Sequence, residues 1–487
     1  MEINTNFSTF KKLHKNGKNQ IIFHQTKCKS NKIIDNIINN FLNKKNSFIF
    51  ESVEKRRIRG RFTIIGSDPD KVWDINKNQI KVSENNKTKK INGNPYLYLK
   101  KLIENFNFKL PKNLPPICSL LVGYFSYDII RYIEKIPDNC NDDLKIPDIR
   151  LMRPRTLIIH DNLFKKIYFI KNCFGDEKIN NYKEYFDGQI KNITFLKNIS
   201  FYYNFQKPVV NKFKKIPKVN SNISKNKFKN IVLKAKKYIK RGDIFQVVLS
   251  QRFETKLTKS PLEIYKKLRI NNPSPFMFFI NFNDFQIIGS SPEILVRLRK
   301  NKITIRPIAG TRPRGSSLKK DNFYKNQLIN DKKELSEHLM LLDLGRNDVG
   351  KVSKINSVKV TEKFKIEKYS HVMHIVSNVD GQFNNKMSLF DTMLAGFPAG
   401  TVTGAPKIRA MEIIDELEKS KRKMYAGSIG YFSANKNFDT CIALRTALIK
   451  NNKFYIQSGA GIVADSIPEK EYSETVNKAK ALIASLS

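Results

Sequence analysis

The second half of the chain is a succession of short apolar segments, and this succession most limits the possible folds. From about Phe228 onward, segments rich in β-branched and aromatic residues are bounded by turn residues: FMFFINF, QIIGSSPEILVRL, KITIRPI, HVMHIVSNVDG, SIGYFSA, TCIALRTALI and FYIQSG. Other segments have the apolar period of helices: KFKNIVLKAKKYIKRGD, DKKELSEHLMLLDLGRND, APKIRAMEIIDELEKS and PEKEYSETVNKAKALIASL. Strands in succession with helices inserted predict an α+β fold with large antiparallel sheets.

The composition and the density of motifs change along the chain, and these changes predict three regions. Residues 1–205 contain few sharp motifs and much lysine and asparagine, and we interpret them as an N-terminal region. Residues 206–227 contain two prolines, many lysines and no clear period, which is typical of a connecting segment. Residues 228–487 form the second, motif-rich region.

The charge of the chain raises the possibility of nucleic-acid binding. With 89 Lys and Arg against 44 Asp and Glu, the formal net charge is +45. The lysines are spread along the whole chain and form no single basic helix, which favours a solvated surface, so nucleic-acid binding stays the weaker alternative. The five cysteines have no metal-ligand spacing, and neither a signal peptide nor a membrane-spanning run is recognisable. We therefore expect a soluble cytoplasmic protein without membrane contact.

Two helices carry pairs of glutamates at helical spacing. Glu334 and Glu337 share one face of a helix, and Glu471 and Glu474 lie with Lys478 on a polar face of the last helix. Carboxylate oxygens are the ligands that Mg²⁺ accepts, together with water. Ion pairs with lysines, or a solvated face, explain the same spacing equally well.

Other candidates lie on strands and turns. In TCIALRTALI the alternation of a strand places Arg445 on a face of small residues, where its guanidinium could bind a carboxylate or form a structural ion pair. Gly459 and Gly461 follow a strand, which suits either close approach to a ligand or a tight turn. His371 and His374 point to opposite faces of a strand-like segment and form no metal pair. RPIAGTRPRG, with three arginines, is predicted to be a rigid cationic turn that holds an anion.

Several long motifs, in order along the chain, resemble the chorismate-utilising enzymes, and most closely the anthranilate synthase component I family. They are RPIAGTRPRG, SEHLMLLDLGRNDVGKVS, YSHVMHIVSNVDG, FPAGTVTGAPKIRAMEIIDELE, YAGSIGYFS, IALRTA and QSGAGIVADSIPEKEYSETVNKA. The resemblance is dense from about residue 225 to 485 and thinner in FIFESVEKRRIRGRFTIIGSDP and GYFSYDIIRYIE. It implies two large, mainly antiparallel β-sheets packed as a sandwich with helices on the outside.

The resemblance also implies an activity, the first step of tryptophan biosynthesis. Chorismate and ammonia become anthranilate and pyruvate, and a separate glutamine amidotransferase subunit supplies the ammonia, in a heterotetramer of two copies of each subunit. Mg²⁺ is expected on Glu337 and Glu474, with Glu334 and Glu471 nearby. Glu293 matches the general acid and His374 the residue that removes the C2 proton. The expected substrate contacts are Gly310, Thr311, Thr401, Tyr425, Arg445, Gly459, Ala460, Gly461 and Lys478.

Two positions bear on the product. Relatives that add water to chorismate carry a lysine where this chain has Gln246, and relatives that make 4-amino-4-deoxychorismate typically carry a lysine in place of Ala309. The absence of both lysines favours ammonia at C2 and anthranilate as the product. Aminodeoxychorismate synthase component I stays the alternative within the family.

The N-terminal region has a second implied role, which is feedback inhibition by L-tryptophan. The residues that match the tryptophan site are Glu51, Ser52, Pro275, Phe276 and Met277. The neighbouring EKRRIRG departs from the family pattern, since it is strongly basic where relatives are more neutral and glycine-rich.

Overall fold

A computed structural model describes residues 3–28, 32–53, 60–85, 87–201, 218–369 and 372–486. Its helices are α1 (Phe7–Lys15), α2 (Lys32–Phe41), α3 (Pro95–Asn105), α4 (Tyr182–Phe201), α5 (Lys225–Lys240), α6 (Pro261–Asn271), α7 (Leu318–Ile329), α8 (Lys332–Gly350), α9 (Leu389–Ala395), α10 (Lys407–Leu417) and α11 (Pro468–Ala484). Short 3₁₀ helices span Tyr127–Tyr132 and Gly400–Val402. None of the helices in these ranges is long and apolar enough to cross a membrane.

The strands alternate with these helices and are most frequent in the second half of the chain. They are β1 (Gln20–Lys27), β2 (Ser47–Glu51), β3 (Phe62–Asn76), β4 (Gln79–Glu84), β5 (Lys87–Ile91), β6 (Leu120–Phe125), β7 (Ile149–Asp161), β8 (Lys166–Cys173), β9 (Asn220–Ser221), β10 (Gln246–Lys256), β11 (Phe276–Asn281), β12 (Gln286–Ser291), β13 (Ile294–Arg299), β14 (Lys302–Ile305), β15 (Ile308–Pro313), β16 (Lys359–Lys368), β17 (Val372–Gln382), β18 (Gly404–Ala405), β19 (Ser428–Ser433), β20 (Phe438–Ile442), β21 (Thr446–Lys450) and β22 (Lys453–Ile462).

Two antiparallel sheets share the long strands β3 and β7. One sheet runs in the order β1-β8-β7-β3-β2-β11-β12-β21-β22-β10, with the short β9 and β18 also paired to β10. The other runs in the order β5-β4-β3-β7-β6-β19-β20-β13-β14-β17, with β15 and β16 also paired to β17. A bulge between Pro69 and Lys71 divides β3 between the two sheets.

The facing sides of the two sheets enclose one hydrophobic core. Phe48, Phe278 and Leu448 from the first sheet pack in the same buried cluster as Tyr124 and Tyr431 from the second. This arrangement confirms the predicted α+β fold of two antiparallel sheets packed as a sandwich.

The two halves of the chain share both sheets. Strand β2 pairs with β11, where Glu51 lies opposite Met277, and β6 pairs with β19. The division of the chain at residues 206–227 stays a prediction, because most of that segment lies outside the described residues.

Two segments predicted as single strands are each divided in two. QIIGSSPEILVRL forms β12 and β13, with Pro292 and Glu293 in the break, because proline cannot donate a ladder hydrogen bond. TCIALRTALI forms β20 and β21, and the prediction of one continuous strand was wrong. Arg445, in its break, has the left-handed φ of +48°. In both cases the break contains a candidate site residue.

The prediction of a cationic, anion-binding turn in RPIAGTRPRG was also wrong. Most of the segment is strand β15, paired to β17, with a bulge at Gly310, whose φ is +62°. Its three arginines all form ion pairs within the protein: Arg306 with Glu362 and Glu367, Arg312 with Asp331 and Glu334, and Arg314 with Asp321. The positive charge is therefore neutralised by carboxylates of the protein itself, which lie from 7 residues (Arg314 and Asp321) to 61 residues (Arg306 and Glu367) away in sequence.

We predict that Phe48→Ala lowers the free energy of unfolding by about 3–5 kcal/mol, because it removes a fully buried ring from the core between the sheets. The ring also occupies the space beside Gly66, where an added Cβ would lie 2.3 Å from it. Chemical denaturation measures the change. Phe195→Ala, on α4, is the control, since Phe195 is 54% exposed and its loss should change stability little. Equal effects of the two substitutions would contradict the prediction.

Candidate active site

A cavity of about 920 Å³ lies where α8, α11 and the Gly400–Val402 turn meet strands β10, β15, β17 and β22. All but one of the predicted catalytic, substrate and metal residues line it: Glu293, Gly310, Thr311, Glu334, Glu337, His374, Thr401, Tyr425, Arg445, Gly459, Gly461, Glu471, Glu474 and Lys478. The exception is Ala460. Its side chain is fully buried in the core formed with residues of α5 and α10, so its methyl group faces away from the cavity that it was expected to line.

Glu293 is held as a neutral acid at the bottom of the cavity. It is 5% exposed, and Thr401 Oγ1 donates a hydrogen bond of 3.3 Å to its Oε2. Burial raises the pKa of Glu293 to about 8, although the Thr401 hydroxyl, the backbone of Ile308 and the charge of Arg445 all act to lower it. A carboxyl with this pKa is protonated at neutral pH and can donate its proton.

His374 has the opposite protonation behaviour. Its Nδ1 lies 2.9 Å from the carbonyl oxygen of Gly310 and 3.2 Å from Thr311 Oγ1. Because a carbonyl can only accept, Nδ1 carries the hydrogen. Burial lowers the pKa of His374 to about 4, so the ring is neutral at pH 7 and its lone pair is on Nε2. The bulge at Gly310 thus selects the tautomer that makes Nε2 the basic nitrogen. The other histidine of this segment, His371, lies outside the described residues.

Arg445 is a cation without a carboxylate partner among the residues that the structure describes. Burial lowers its pKa, although Tyr369 and Glu293 act to raise it. No carboxylate within the described ranges lies at ion-pair distance from its guanidinium. Since a partly buried, unpaired charge is costly, this arrangement suits an anionic ligand.

The four glutamates predicted near a metal lie on two helices that border the cavity. Gln246 Nε2 donates to Glu337 Oε1 over 3.0 Å, and Lys478 Nζ lies 2.7 Å from Glu474 Oε1 and 3.0 Å from the carbonyl oxygen of Gly459. Burial, together with the charges of Glu334 and Glu474, raises the pKa of Glu337. A cation placed between the helices would relieve this repulsion.

These carboxylates fit Mg²⁺ better than a metal that needs a complete protein cage. In the part of the chain that the structure describes, no three His, Cys, Asp or Glu side chains are close enough to hold an ion together. Mg²⁺ usually takes one or two carboxylates and completes its six positions with water and substrate oxygens. Glu337 and Glu474, one from each helix, both line the cavity and have carboxylate oxygens of the kind that such a site would use.

The glycines of β22 make room for neighbouring polar groups. A Cβ added to Gly459 would lie 2.6 Å from the hydroxyl of Tyr425, and one added to Gly461 would lie 2.5 Å from Nε2 of Gln246. Both glycines are therefore explained by close approach of side chains, and neither forms a tight turn.

Sequence reasoning missed Gln457, which also lines this cavity. It precedes Gly459 by two residues on β22, so the alternation of a strand was the signal that could have found it. Its Nε2 donates to Ser250 Oγ over 2.8 Å.

A second cavity, of about 690 Å³, contains all five residues predicted to bind tryptophan. Ser52 Oγ is buried there and has no hydrogen-bond partner among the described residues. The carboxylate of Glu51 is already engaged, since it accepts hydrogen bonds from Tyr265 Oη (2.5 Å) and Arg269 Nε (2.7 Å). Most of the basic segment EKRRIRG lies outside the described residues.

The two cavities share part of a wall. Pro292, directly before Glu293, and Ile308, directly before Ala309, line both of them.

The chain is similar to known proteins over most of its length. The family described as chorismate binding enzyme matches residues 45–484. The chain is 44% identical over 486 residues to anthranilate synthase component 1 of Cereibacter sphaeroides, covering 98% of this chain and 96% of the relative. Its fold is similar to that of anthranilate synthase component I from Streptococcus pneumoniae, with a TM-score of 0.76, 34% identity, and coverage of 88% and 94%. The Escherichia coli isochorismate synthase MenF has the same fold, with a TM-score of 0.72 at 17% identity and coverage of 98% and 100%.

We predict that Glu293→Gln becomes more stable relative to the wild type as pH rises. The folded-state pKa of about 8 lies above the usual 4.5, so the native state keeps a proton that the unfolded state has released. Wild-type stability from this group is therefore present below pH ~4.5 and is lost as pH rises towards about 8. The glutamine does not titrate, so the difference in melting temperature should grow in its favour between about pH 5 and about pH 8.

The matched control is Glu254→Gln, because the Glu254 side chain is 39% exposed, whereas Glu293 is buried. A difference between wild type and Glu293→Gln that does not change with pH would contradict the prediction.

Proposed function

The chain belongs to the chorismate binding enzyme family, and from this membership we propose that it is the chorismate-converting component of an anthranilate synthase. It is a lyase that forms anthranilate and pyruvate from chorismate and ammonia, in the biosynthesis of tryptophan. The observation that carries the proposal is one cavity that combines a neutral acid, a neutral histidine and an arginine that no described carboxylate pairs with.

The first half of the reaction requires an acid. Ammonia adds at ring carbon C2 while the hydroxyl leaves from C4, and hydroxide is a poor leaving group. Glu293, protonated at neutral pH, donates its proton so that water leaves. The hydrogen bond from Thr401 orients the carboxyl for this transfer.

The second half requires a base. His374 Nε2 accepts the proton from C2, and its Nδ1–H remains bonded to the carbonyl of Gly310. The electrons of the C–H bond complete the aromatic ring as the ring C3–O bond breaks and enolpyruvate leaves, and return of the proton from His374 to the enol carbon gives pyruvate. Arg445 and Tyr425 hold the enolpyruvyl side chain, because Arg445 offers its guanidinium to the carboxylate.

Mg²⁺ is the cofactor that the acidic helices would hold. Glu337 and Glu474 would bind it directly, with Glu334 and Glu471 close by. When bound, it neutralises the ring carboxylate of chorismate and stabilises charge that develops during the reaction.

The product is set by what the cavity lacks at two positions. Ala309 lines the cavity with a methyl group, and the amide of Gln246 is bonded to Glu337. Lys478, a lysine of the cavity wall, is engaged with Glu474 and the carbonyl of Gly459. None of these side chains offers an amine or a water-activating base that competes with ammonia at C2, which favours anthranilate over 4-amino-4-deoxychorismate.

The proposal extends to partners and regulation. A separate glutamine amidotransferase subunit supplies the ammonia. The two kinds of subunit form a heterotetramer with two copies of each, and this assembly works in the cytoplasm. L-tryptophan binds in the second cavity, beside Ser52 and Met277.

We predict that the purified chain forms anthranilate from chorismate, ammonium and Mg²⁺, and that Glu337→Gln cuts this activity by roughly a hundredfold or more, since it removes the charge that binds the cation. Anthranilate fluorescence and coupled detection of pyruvate measure it. Asp343→Asn, on the exposed side of the same helix, is the control and should retain full activity. Undiminished turnover in EDTA would contradict the requirement for Mg²⁺. Release of 4-amino-4-deoxychorismate would contradict anthranilate as the product.

We predict that L-tryptophan binds the wild type and that Ser52→Arg abolishes the binding while catalysis is retained. The larger, charged side chain fills the second cavity, which is separate from the reacting groups apart from the shared wall. Calorimetric titration measures binding. Lys300→Ala, elsewhere on the wall of the same cavity, is the control that should keep tryptophan binding. If the wild type gives no heat of binding at millimolar tryptophan, the prediction that tryptophan binds in this cavity is contradicted.

A further inference from the structure

Arg422 is a buried cation that touches the cavity only through other residues. We propose that the Arg422–Glu418 pair is a positioning unit that holds Thr401 and Tyr425 in the geometry that the reaction needs. This role assumes the proposed function, because the residues that it positions act in that reaction. The contacts that support it do not depend on which substrate binds.

The guanidinium makes more contacts than an ion pair requires. Its Nε and Nη2 donate to the two carboxylate oxygens of Glu418 over 2.9 and 2.6 Å, and the side chain is 1% exposed. Nη1 donates to the carbonyl of Val402 over 2.7 Å, and Nη2 also donates to the carbonyl of Val248 over 2.6 Å. Both valines line the cavity. The two carbonyl contacts tie β10 to the Gly400–Val402 turn.

The contact with Val402 reaches the proposed acid through one residue. Thr401 precedes Val402 in the turn, and its hydroxyl donates to Glu293. A donor to the ionised carboxylate lowers the pKa of Glu293, so the position of the turn affects both the direction and the acidity of that group.

The second route runs through aromatic rings. The Arg422 guanidinium lies 5.3 Å from the ring centre of Tyr425 and 5.0 Å from that of Tyr127, at distances typical of cation–π contacts. The backbone between Arg422 and Tyr425 contains Lys423 in the left-handed region, with φ of +47°. Such a segment keeps its shape only when neighbouring contacts fix it.

Glu418 extends the unit along β10. Its Oε1 accepts from both the backbone N–H and the hydroxyl of Ser250, each over 2.8 Å. Ser250 Oγ in turn accepts from Gln457, a residue of the cavity wall. A buried ion pair contributes little net stability and is often replaceable by apolar residues. The many contacts with the cavity walls therefore indicate a role in geometry.

The test is Arg422→Lys, which keeps a charge for Glu418 but loses the planar fork and the ring contacts. We expect kcat for anthranilate formation to fall by on the order of tenfold to a hundredfold and KM for chorismate to rise. The control is Arg153→Lys. Arg153 is 11% exposed, pairs with the buried Asp70 and lies 3.9 Å from the ring centre of Phe174, but lines neither cavity described above. Arg153→Lys should lower the melting temperature about as much as Arg422→Lys does, and it should leave kcat unchanged.

A pH readout separates positioning from general loosening of the fold. Losing the Thr401 hydrogen bond raises the pKa of Glu293, so activity should persist to higher pH in Arg422→Lys. The charged group of the described residues that acts on Glu293 is Arg445, which neither substitution changes. Thr401→Val should give the same shift, and the double variant no further shift, because both act through one contact.

The pKa of Glu293 is also measurable without turnover, by the infrared band of a protonated carboxyl that Glu293→Gln lacks. A wild type that forms no anthranilate would contradict the proposed function. An unchanged Glu293 pKa in Arg422→Lys, or additive shifts in the double variant, would overturn the positioning role whatever the product. If Arg422→Lys does not fold, Arg422→Met with Glu418→Met removes both buried charges, and the same loss of kcat and the same shift are expected. Wild-type kcat in that folded double variant would overturn the role.

Discussion

The main cavity depends on one constraint, which is that several of its charged side chains are buried without a described side chain of opposite charge to balance them. Arg445 is partly buried without a carboxylate at ion-pair distance among the described residues, and Glu337 lies near the charges of two other glutamates. Glu293 avoids the same cost by remaining protonated. The protein alone does not balance these charges, whereas a dianionic substrate and a divalent cation would. Binding energy from such a ligand compensates for the instability that these charges carry by themselves.

The fold supplies this arrangement by bringing distant segments to one place. Glu293 and Arg445 lie in breaks between strands, where the backbone leaves the ladder and side chains can turn towards the cavity. The two sheets around these breaks are joined, because β3 and β7 belong to both. The same compactness makes Pro292 and Ile308 part of two cavities, so a ligand in the second cavity would contact residues directly next to Glu293 and Ala309.

The sequence was sufficient for the fold class, because the strand segments have clear composition and period. The candidate site was accessible mainly through the family resemblance, since the spacing of Glu334 and Glu337 alone also fits ion pairs. Features that depend on remote partners were not accessible. The arginine-rich segment was predicted to bind an anion because partners such as Glu362 and Glu367 lie 56 and 61 residues from Arg306 in sequence. Arg422 gave no signal either, since backbone carbonyls accept two of its hydrogen bonds.

The bulge at Gly310 affects two features of the cavity, which are the tautomer of His374 and the position of Ala309. The bulge of β15 at Gly310 directs a carbonyl to His374 Nδ1, which leaves the lone pair of the ring on Nε2, the atom proposed as the base. The residue before the bulge, Ala309, pairs with Ile375 and lines the cavity with only a methyl group. A longer, basic side chain at position 309 would extend into the cavity that His374 also lines. The proposed choice of ammonia therefore follows from the same strand geometry that sets the histidine tautomer, since both depend on which residue stands on each side of Gly310.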